Sequence, residues 1–274
     1  MKTNISDKIA IDLCEQSYLD SRKKIANFLY EEYGAHDVKL HKLKDVGMEF
    51  ITCRIGASSY LAIRGTKGGQ DVITDLDLSS YDMSLKKLLM KKKKGKKWFD
   101  LHQREIKRLK KLKKSMGLKH LHFGIFQSAE SIYQYLLKKQ IQVDNICGHS
   151  LGGGVAHMLG MFIDDLHSII TFGASRVGGI SFVIKYNKKY KSITKRYFNY
   201  MDIVPKVPLR IMFYMHVGNG YFFDKIGKLK KRVEQFRELS NWSRKVALKD
   251  VDVKKFINNH FTPIYKRNVL RNMI

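Results

Sequence analysis

Five residues, Gly148-His149-Ser150-Leu151-Gly152, constrain this chain more than any other segment. They follow an apolar run of strand character, Val143 to Cys147, and open a Gly-rich then apolar stretch of helical character, Leu151 to Ile163. A strand that becomes a helix across so tight a bend leaves its flanking positions almost no room for side chains, and Gly148 and Gly152 meet that demand. The bend lifts the Ser150 hydroxyl above the sheet. It also aims the first N–H groups of the helix, and the positive end of its dipole, at the same place. The pattern predicts a serine nucleophile, with the Leu151 N–H as a donor to the oxyanion of acyl transfer. His149 points away from Ser150 and is read as structural support of the turn. A Gly-rich loop that only packs a helix on a strand is the simpler alternative, and the strand before and helix after Ser150 weigh against it.

The rest of the chain supplies a sheet for such a turn. Residues 5 to 33 carry apolar residues at helical spacing and end at Gly34, which predicts helices in an outer layer. Glu49 to Ile55 and Ser59 to Arg64 are β-rich runs around Gly56-Ala57-Ser58, read as a hairpin or as neighbouring strands. Ser168 to Gly173 and Thr194 to Tyr200 are further runs of strand length, separated by a segment with Gly178, Gly179 and a mixed helical pattern. Strands alternating with helices predict an α/β fold with a mostly parallel central sheet flanked by helices on both faces. At 274 residues the chain is read as a single domain spanning 1–274.

A serine nucleophile needs a base, and the base needs an orienting acid. Asp202 follows the apolar run ending at Tyr200 and precedes Ile203-Val204-Pro205, which places it at a strand tip. Two histidines lie downstream. His260 follows a polar, helical-looking segment, Asp250 to Asn259, and precedes Phe261-Thr262-Pro263, where that helix is expected to end in a loop. His216 sits in an apolar, strand-like run, where a histidine is more often part of the core. Spacing favours His260 and leaves His216 open.

Charge is concentrated. The chain has 52 Lys and Arg against 25 Asp and Glu, a formal +27, and the stretch Lys86 to Lys119 holds 16 of the cations with two acids. Phe99, His102, Ile106, Leu109, Leu112 and Met116 recur within it at helical spacing, which predicts a basic helix with one apolar stripe. So much charge points to phosphate-bearing partners, lipid head groups or nucleic acid, or to a merely solvated surface. The first fifteen residues lack the unbroken apolar centre of a secretory signal, and no stretch approaches the ~20 apolar residues of a membrane span. The expected location is therefore intracellular, cytoplasmic or peripheral to a membrane. Cys14, Cys53 and Cys147 are few, odd in number and set among apolar residues, as buried reduced thiols would be. No zinc-finger spacing appears, and neither a metal nor a cofactor is expected.

Further motifs then fall into one order. Leu61-Ala62-Ile63-Arg64-Gly65-Thr66 with Asp71 to Leu76, His122 to Phe126, Ile146 to Ala156, Thr171 to Gly178, Asn199 to Pro208, Met215 to Gly218 and Asn259 to Tyr265 together resemble the class 3, fungal-type lipase family of α/β-hydrolases. The matches run from about residue 50 to 265. Ser175 stands where the family usually has Pro, and Val72 where it usually has Trp, positions that do not react. The resemblance implies a Ser150, Asp202, His260 triad, with the Thr66 and Leu151 amides as the oxyanion hole and Met215 to Gly218 as a non-catalytic element. Thr66 lies in a glycine-flanked turn after a strand, where a backbone amide is able to face an ester oxygen. The resemblance also implies a lid, and residues 79–121, the basic helical insertion, occupy its place.

The expected activity is hydrolysis of the carboxylic ester of a lipid, an acylglycerol or a phospholipid, through an acyl-enzyme. The expected partners are the lipid ester and an anionic membrane surface. In the lid position, Leu85, Leu88, Leu89, Met90, Trp98 and Phe99 interleave with lysines, as suits an interfacial helix. Two readings from other classes stand beside it: a basic nucleic-acid-binding protein on a hydrolase scaffold, and a catalytically silent membrane-binding module. The first lacks a recognised binding motif or an aromatic stacking series. The second gives no reason to keep all three triad groups.

Overall fold

The computed structural model describes residues 5–66, 107–208, 210–231 and 258–273. Among them eight strands form one sheet whose spatial order equals their order in the chain. The strands are β1 (His36–Leu43), β2 (Met48–Ile55), β3 (Ser58–Ile63), β4 (Asn145–His149), β5 (Ser168–Phe172), β6 (Thr194–Asn199), β7 (Asn219–Phe223) and β8 (Leu229–Lys231). The five central strands, β3 to β7, run parallel, while β1, β2 and β8 add antiparallel edges. Register is closed by pairs such as Ile63 with Gly148 and His149 with Phe172, which hold the end of β4 between its neighbours.

The period of two along each strand divides the core between two faces. Leu61, Ile63, Ile146 and Ile169 point to one face and Ala62, Cys147, Ile170 and Phe172 to the other. The first face is covered by α3 (Phe123–Lys138), α4 (Leu151–Gly160) and α5 (Ile180–Tyr190). The second is covered by α1 (Ile5–Gln16), α2 (Arg22–Tyr33) and α6 (Thr262–Arg271). Helices therefore do flank both faces of a mostly parallel centre, as the sequence predicts. Alpha-1 is fixed by charge as well as apolar burial: buried Asp7 pairs with Lys195, and buried Asp12 with Lys8 and Lys266. The three cysteines are free and buried, and burial pushes the Cys147 thiol well above its ordinary pKa and Cys53 up to about 12.

Three expectations shift. Strands β1, β7 and β8 escape the sequence reading. His-Asp-Val-Lys-Leu-His-Lys-Leu in β1 alternates apolar with charged residues because it is an edge strand with one wet side. Of the helix expected at 250–259, residues 250–257 lie outside the described residues; Asn258 is helical and 259–261 form the expected turn, but a further helix, α6, begins at once at Thr262, where Pro263 fits because the first turn of a helix needs no N–H from it. The run around His216 is not a strand: Met215 forms an isolated β-bridge with Gly178, and Val217 and Gly218 bond to the side chains of Arg196 and Asn187. Residues 67–106, which include 79–106 of the basic insertion, lie outside the described residues. Residues 107–115 are helical and bury Leu109 in the core, while Arg108 makes a two-pronged contact with buried Glu130.

Candidate active site

The bend at Ser150 is as tight as its glycines imply. A Cβ on Gly148 would stand 2.4 Å from the Gly152 carbonyl oxygen, and one on Gly152 would stand 2.3 Å from that of Ile63. Ser150 itself takes φ 60° and ψ −130°, a conformation that side chains seldom adopt and that neighbouring structure must enforce. Its N–H donates to the Phe172 carbonyl at 3.0 Å, locking the bend to β5. The Ser150 Oγ is buried and, among the described residues, has no hydrogen-bond partner.

Asp202 and His260 arrive at the same end of the sheet. Asp202 lies just beyond β6, in the turn after Asn199, and is fully buried. Its Oδ1 accepts the Val204 N–H at 2.9 Å, an Asx turn that fixes the side chain on its own loop. Its Oδ2 accepts the Tyr265 hydroxyl at 2.6 Å. His260 Nδ1 lies 3.0 and 2.9 Å from the two carboxylate oxygens. Carboxylate oxygens only accept, so Nδ1 carries the proton and Nε2 is left with a free lone pair. That Nε2 is buried and also lacks a partner among the described residues. Burial, then the nearby Asp202, push the Tyr265 hydroxyl well above its ordinary pKa, so it remains a donor.

Asp202 and His260 meet at Gly173, the residue after Phe172, whose carbonyl accepts the Ser150 N–H. The Gly173 φ of +58° suits glycine, and a Cβ there would stand 2.7 Å from Asp202 Oδ2 and 2.9 Å from the His260 ring. Behind them lies His149. It donates from Nε2 to the His260 carbonyl at 2.6 Å, and its Nδ1 lies 2.7 Å from the Tyr18 hydroxyl. Burial, and then proximity to His260, hold His149 well below its ordinary pKa, so Nδ1 is unprotonated and Tyr18 donates to it.

This geometry can be set beside known proteins. The family model described as Lipase (class 3) matches residues 60–212, more than half of the chain. The chain belongs to the class 3 lipase family. Its fold is similar to that of the Lip2 lipase of Yarrowia lipolytica, at TM-score 0.56 and 19% identity over 81% of this chain and 80% of that one. Lipase II of Rhizopus niveus is similar at TM-score 0.52 and 20% identity, over 78% and 77% of the two chains. A 133-residue segment is 29% identical to part of the toxin TseL of Vibrio cholerae, covering 45% of this chain and 20% of that protein. The match thus covers about a fifth of that relative's length.

Around Ser150 the chain presents two backbone segments from different elements. Leu151 is the first residue of α4, so its N–H has no acceptor within the helix. Gly65 lies directly over the serine: a Cβ there would stand 2.7 Å from Ser150 Cβ and 2.8 Å from the His149 carbonyl oxygen. Thr66 follows it, partly exposed, at the end of the described segment. His216 is elsewhere. It is buried and donates from Nε2 to the Pro205 carbonyl at 2.6 Å, and burial followed by the charges of Arg196 and Arg176 hold it well below its ordinary pKa.

Several supporting residues escape the sequence reading. Tyr18 gives no signal, because it reaches the site across 131 positions from a segment that reads as outer layer. Asn199 receives Asn268 on its Oδ1 at 3.0 Å and donates to the Asn259 carbonyl at 2.8 Å, so it holds the backbone next to His260. Arg176 donates to the carbonyls of Lys206 and Pro208, and its own N–H to Val207, fastening the loop that follows Asp202. Asn199, Arg176 and Tyr265 sit inside the family-like motifs, where only their letters and not their contacts are visible.

Proposed function

We propose that this chain hydrolyses carboxylic esters of lipids, acylglycerol or phospholipid, by acyl transfer through Ser150, His260 and Asp202, working at an anionic membrane surface. His260 Nε2 takes the Ser150 proton as Oγ attacks the ester carbonyl carbon. The carbonyl π pair moves onto oxygen, where the Thr66 and Leu151 amides stabilise the negative charge. Asp202 holds the imidazole with Nδ1 protonated and stabilises the imidazolium. Collapse of the intermediate expels the alcohol, which takes the proton from Nε2, and leaves the acyl group on Ser150. Water, deprotonated by the same Nε2, then releases the fatty acid and restores the serine.

One observation carries this reading. Ser150 Oγ and His260 Nε2 are both buried without a partner among the described residues, and the same His260 is held through Nδ1 by an Asp202 whose own donors are in place. Folded proteins rarely leave such atoms unpaired unless the site uses them. The basic insertion at 79–121 would act as the lid, with its lysines on head-group phosphates and its apolar residues in the acyl region. The decisive experiment is hydrolysis of a p-nitrophenyl ester by the parent and by Ser150→Ala, together with labelling by a fluorophosphonate. Loss of both in the variant supports the reading, and full activity in Ser150→Ala overturns it.

A further inference from the structure

Three segments outside the site share a property that composition alone conceals. Residues 107–122, 179–193 and 203–219 contain no Asp or Glu, although the chain has 25 acids in all. They are neighbours in space. Gly178, just before the second segment, bridges Leu121 on one side and Met215 on the other. His120 accepts the Gly179 N–H on its carbonyl and donates from Nε2 to the Met212 carbonyl. The Lys119 N–H donates to Ser181 Oγ, and Lys185 Nζ to the Met116 carbonyl at 2.7 Å. The acid-free segments therefore form one continuous field. Its flanking cations Arg108 and Lys189 pair with Glu130 and Asp164 from other elements.

Large apolar side chains stand out of this field. Ile211 is 82% exposed, Phe213 76%, Ile184 60% and Ile180 58%. Ile180 and Ile184 lie one turn apart on α5, in line with exposed Lys188. Phe213 has φ +62°, a costly conformation for a bulky residue, and its ring is held out to solvent beside His120, itself at φ +47°. Lysines alone would serve solubility. Four exposed Ile and Phe side chains add nothing to it and work against it.

We propose that Ile180, Ile184, Ile211 and Phe213, with the surrounding lysines, form the face by which this protein docks on a bilayer containing anionic lipid. The choice of a bilayer rests on the proposed lipid hydrolysis; the field itself does not. Apolar side chains surrounded by cations suit the boundary between head groups and acyl chains, where each type finds its own environment. Nucleic acid would reward the lysines only. The face also adjoins the site: Val204 packs against Leu151, next to Ser150, and the Arg176 N–H donates to Val207 at 2.9 Å. A protein seated on this face would turn the end of the sheet that carries Ser150 toward the lipid. The face takes in residues 107–121 of the basic insertion, but its four exposed apolar side chains lie outside that insertion, so substitutions at them make their own prediction.

The test measures sedimentation of the full chain in a Ser150→Ala background, with vesicles of phosphatidylcholine alone and of phosphatidylcholine mixed with phosphatidylglycerol. Ile211→Ser with Phe213→Ser, and independently Ile180→Ser with Ile184→Ser, leave the charge unchanged. Each pair should lower partition onto the mixed vesicles at least about tenfold. With Ser150 restored, turnover of a soluble p-nitrophenyl ester should stay within about twofold of the parent. Undiminished partition of both pairs overturns the proposal, as does a parent that fails to bind mixed vesicles. Loss of DNA binding with vesicle binding intact overturns it in favour of nucleic acid. A parent inactive on the soluble ester would instead count against the hydrolase reading, while the vesicle result would still be readable.

Discussion

His149 holds His260 by its backbone: the Nε2–H of one imidazole donates to the main-chain carbonyl of the other at 2.6 Å, with their ring centroids 4.5 Å apart. The residue before the serine thereby sets the position of a histidine 111 positions later, and Tyr18 fixes the tautomer that lets it do so. His149→Ala should fold yet lose about tenfold to a hundredfold in kcat on a soluble ester, with KM little changed. Tyr18→Phe should lose less. Steady-state kinetics on both variants checks this, and an unaltered kcat in His149→Ala would refute it.

Asp202 offers a sharper substitution. Asp202→Asn preserves size but can present an N–H to Nδ1, which favours the tautomer with Nε2 protonated. A loss of about four orders of magnitude in kcat is expected, with folding retained. Tyr265→Phe removes one donor to the same carboxylate, and should cost about 1–3 kcal/mol of stability along with a smaller loss of rate. Paired denaturation and kinetic measurements separate the two effects.

Gly65 predicts a steric effect on activity. Gly65→Ala would bring a methyl within 2.7 Å of Ser150 Cβ and 2.6 Å of the Tyr18 hydroxyl, so the segment leading to Thr66 has to move. Activity should fall by about a hundredfold, with a stability loss of about 1–3 kcal/mol. Wild-type turnover in this variant would show that the segment is free to shift without consequence.

Acid should weaken the fold before it reaches carboxylate pKa values. Burial holds His149, His157 and His216 below the ordinary value, His157 at about 3, with the Arg196 charge adding to the effect at His157 and His216. In the unfolded chain each binds a proton near pH 6.5. Below that pH the unfolded state takes up protons that the folded state refuses, so stability is complete above about 6.5 and lost as pH falls toward 3. Chemical denaturation from pH 7 to 5 should show a decline of up to about 1.4 kcal/mol per pH unit for each histidine. A flat profile would contradict neutral burial.

Ser175 carries a different burden. Its hydroxyl is buried without a partner among the described residues. Ser175→Ala should therefore raise stability by about 1 kcal/mol, seen as a higher denaturation midpoint. A lower midpoint would mean that the hydroxyl is satisfied after all.

The parts of the site that are legible in the sequence are those whose chemistry forces a local pattern. The Ser150 bend needs glycine on both flanks because backbone lies within 2.4 Å of each missing Cβ, and that demand shows as two letters. Asp202 and His260 are legible by order and by family likeness, and the structure brings both to the same end of the sheet. Tyr18, Asn199 and Arg176 are not, because a long-range hydrogen bond leaves no periodicity behind. Edge strand β1 hides for a related reason: its wet face mixes lysines into the apolar alternation. The helix after His260 is missed because Pro263 looks like a stop, whereas in a first turn it is a start.

The spatial order of the strands has a consequence for how the chain is made. Since β1 to β8 lie side by side in the order of their synthesis, no strand has to be inserted between two that are already paired. Each emerging strand meets an open edge left by its predecessor, and the sheet widens in one direction as the ribosome advances. Among the described residues, His260 emerges after all eight strands have been laid down. The serine bend is then complete well before that histidine exists, and a half-made chain carries an assembled scaffold without its proposed base.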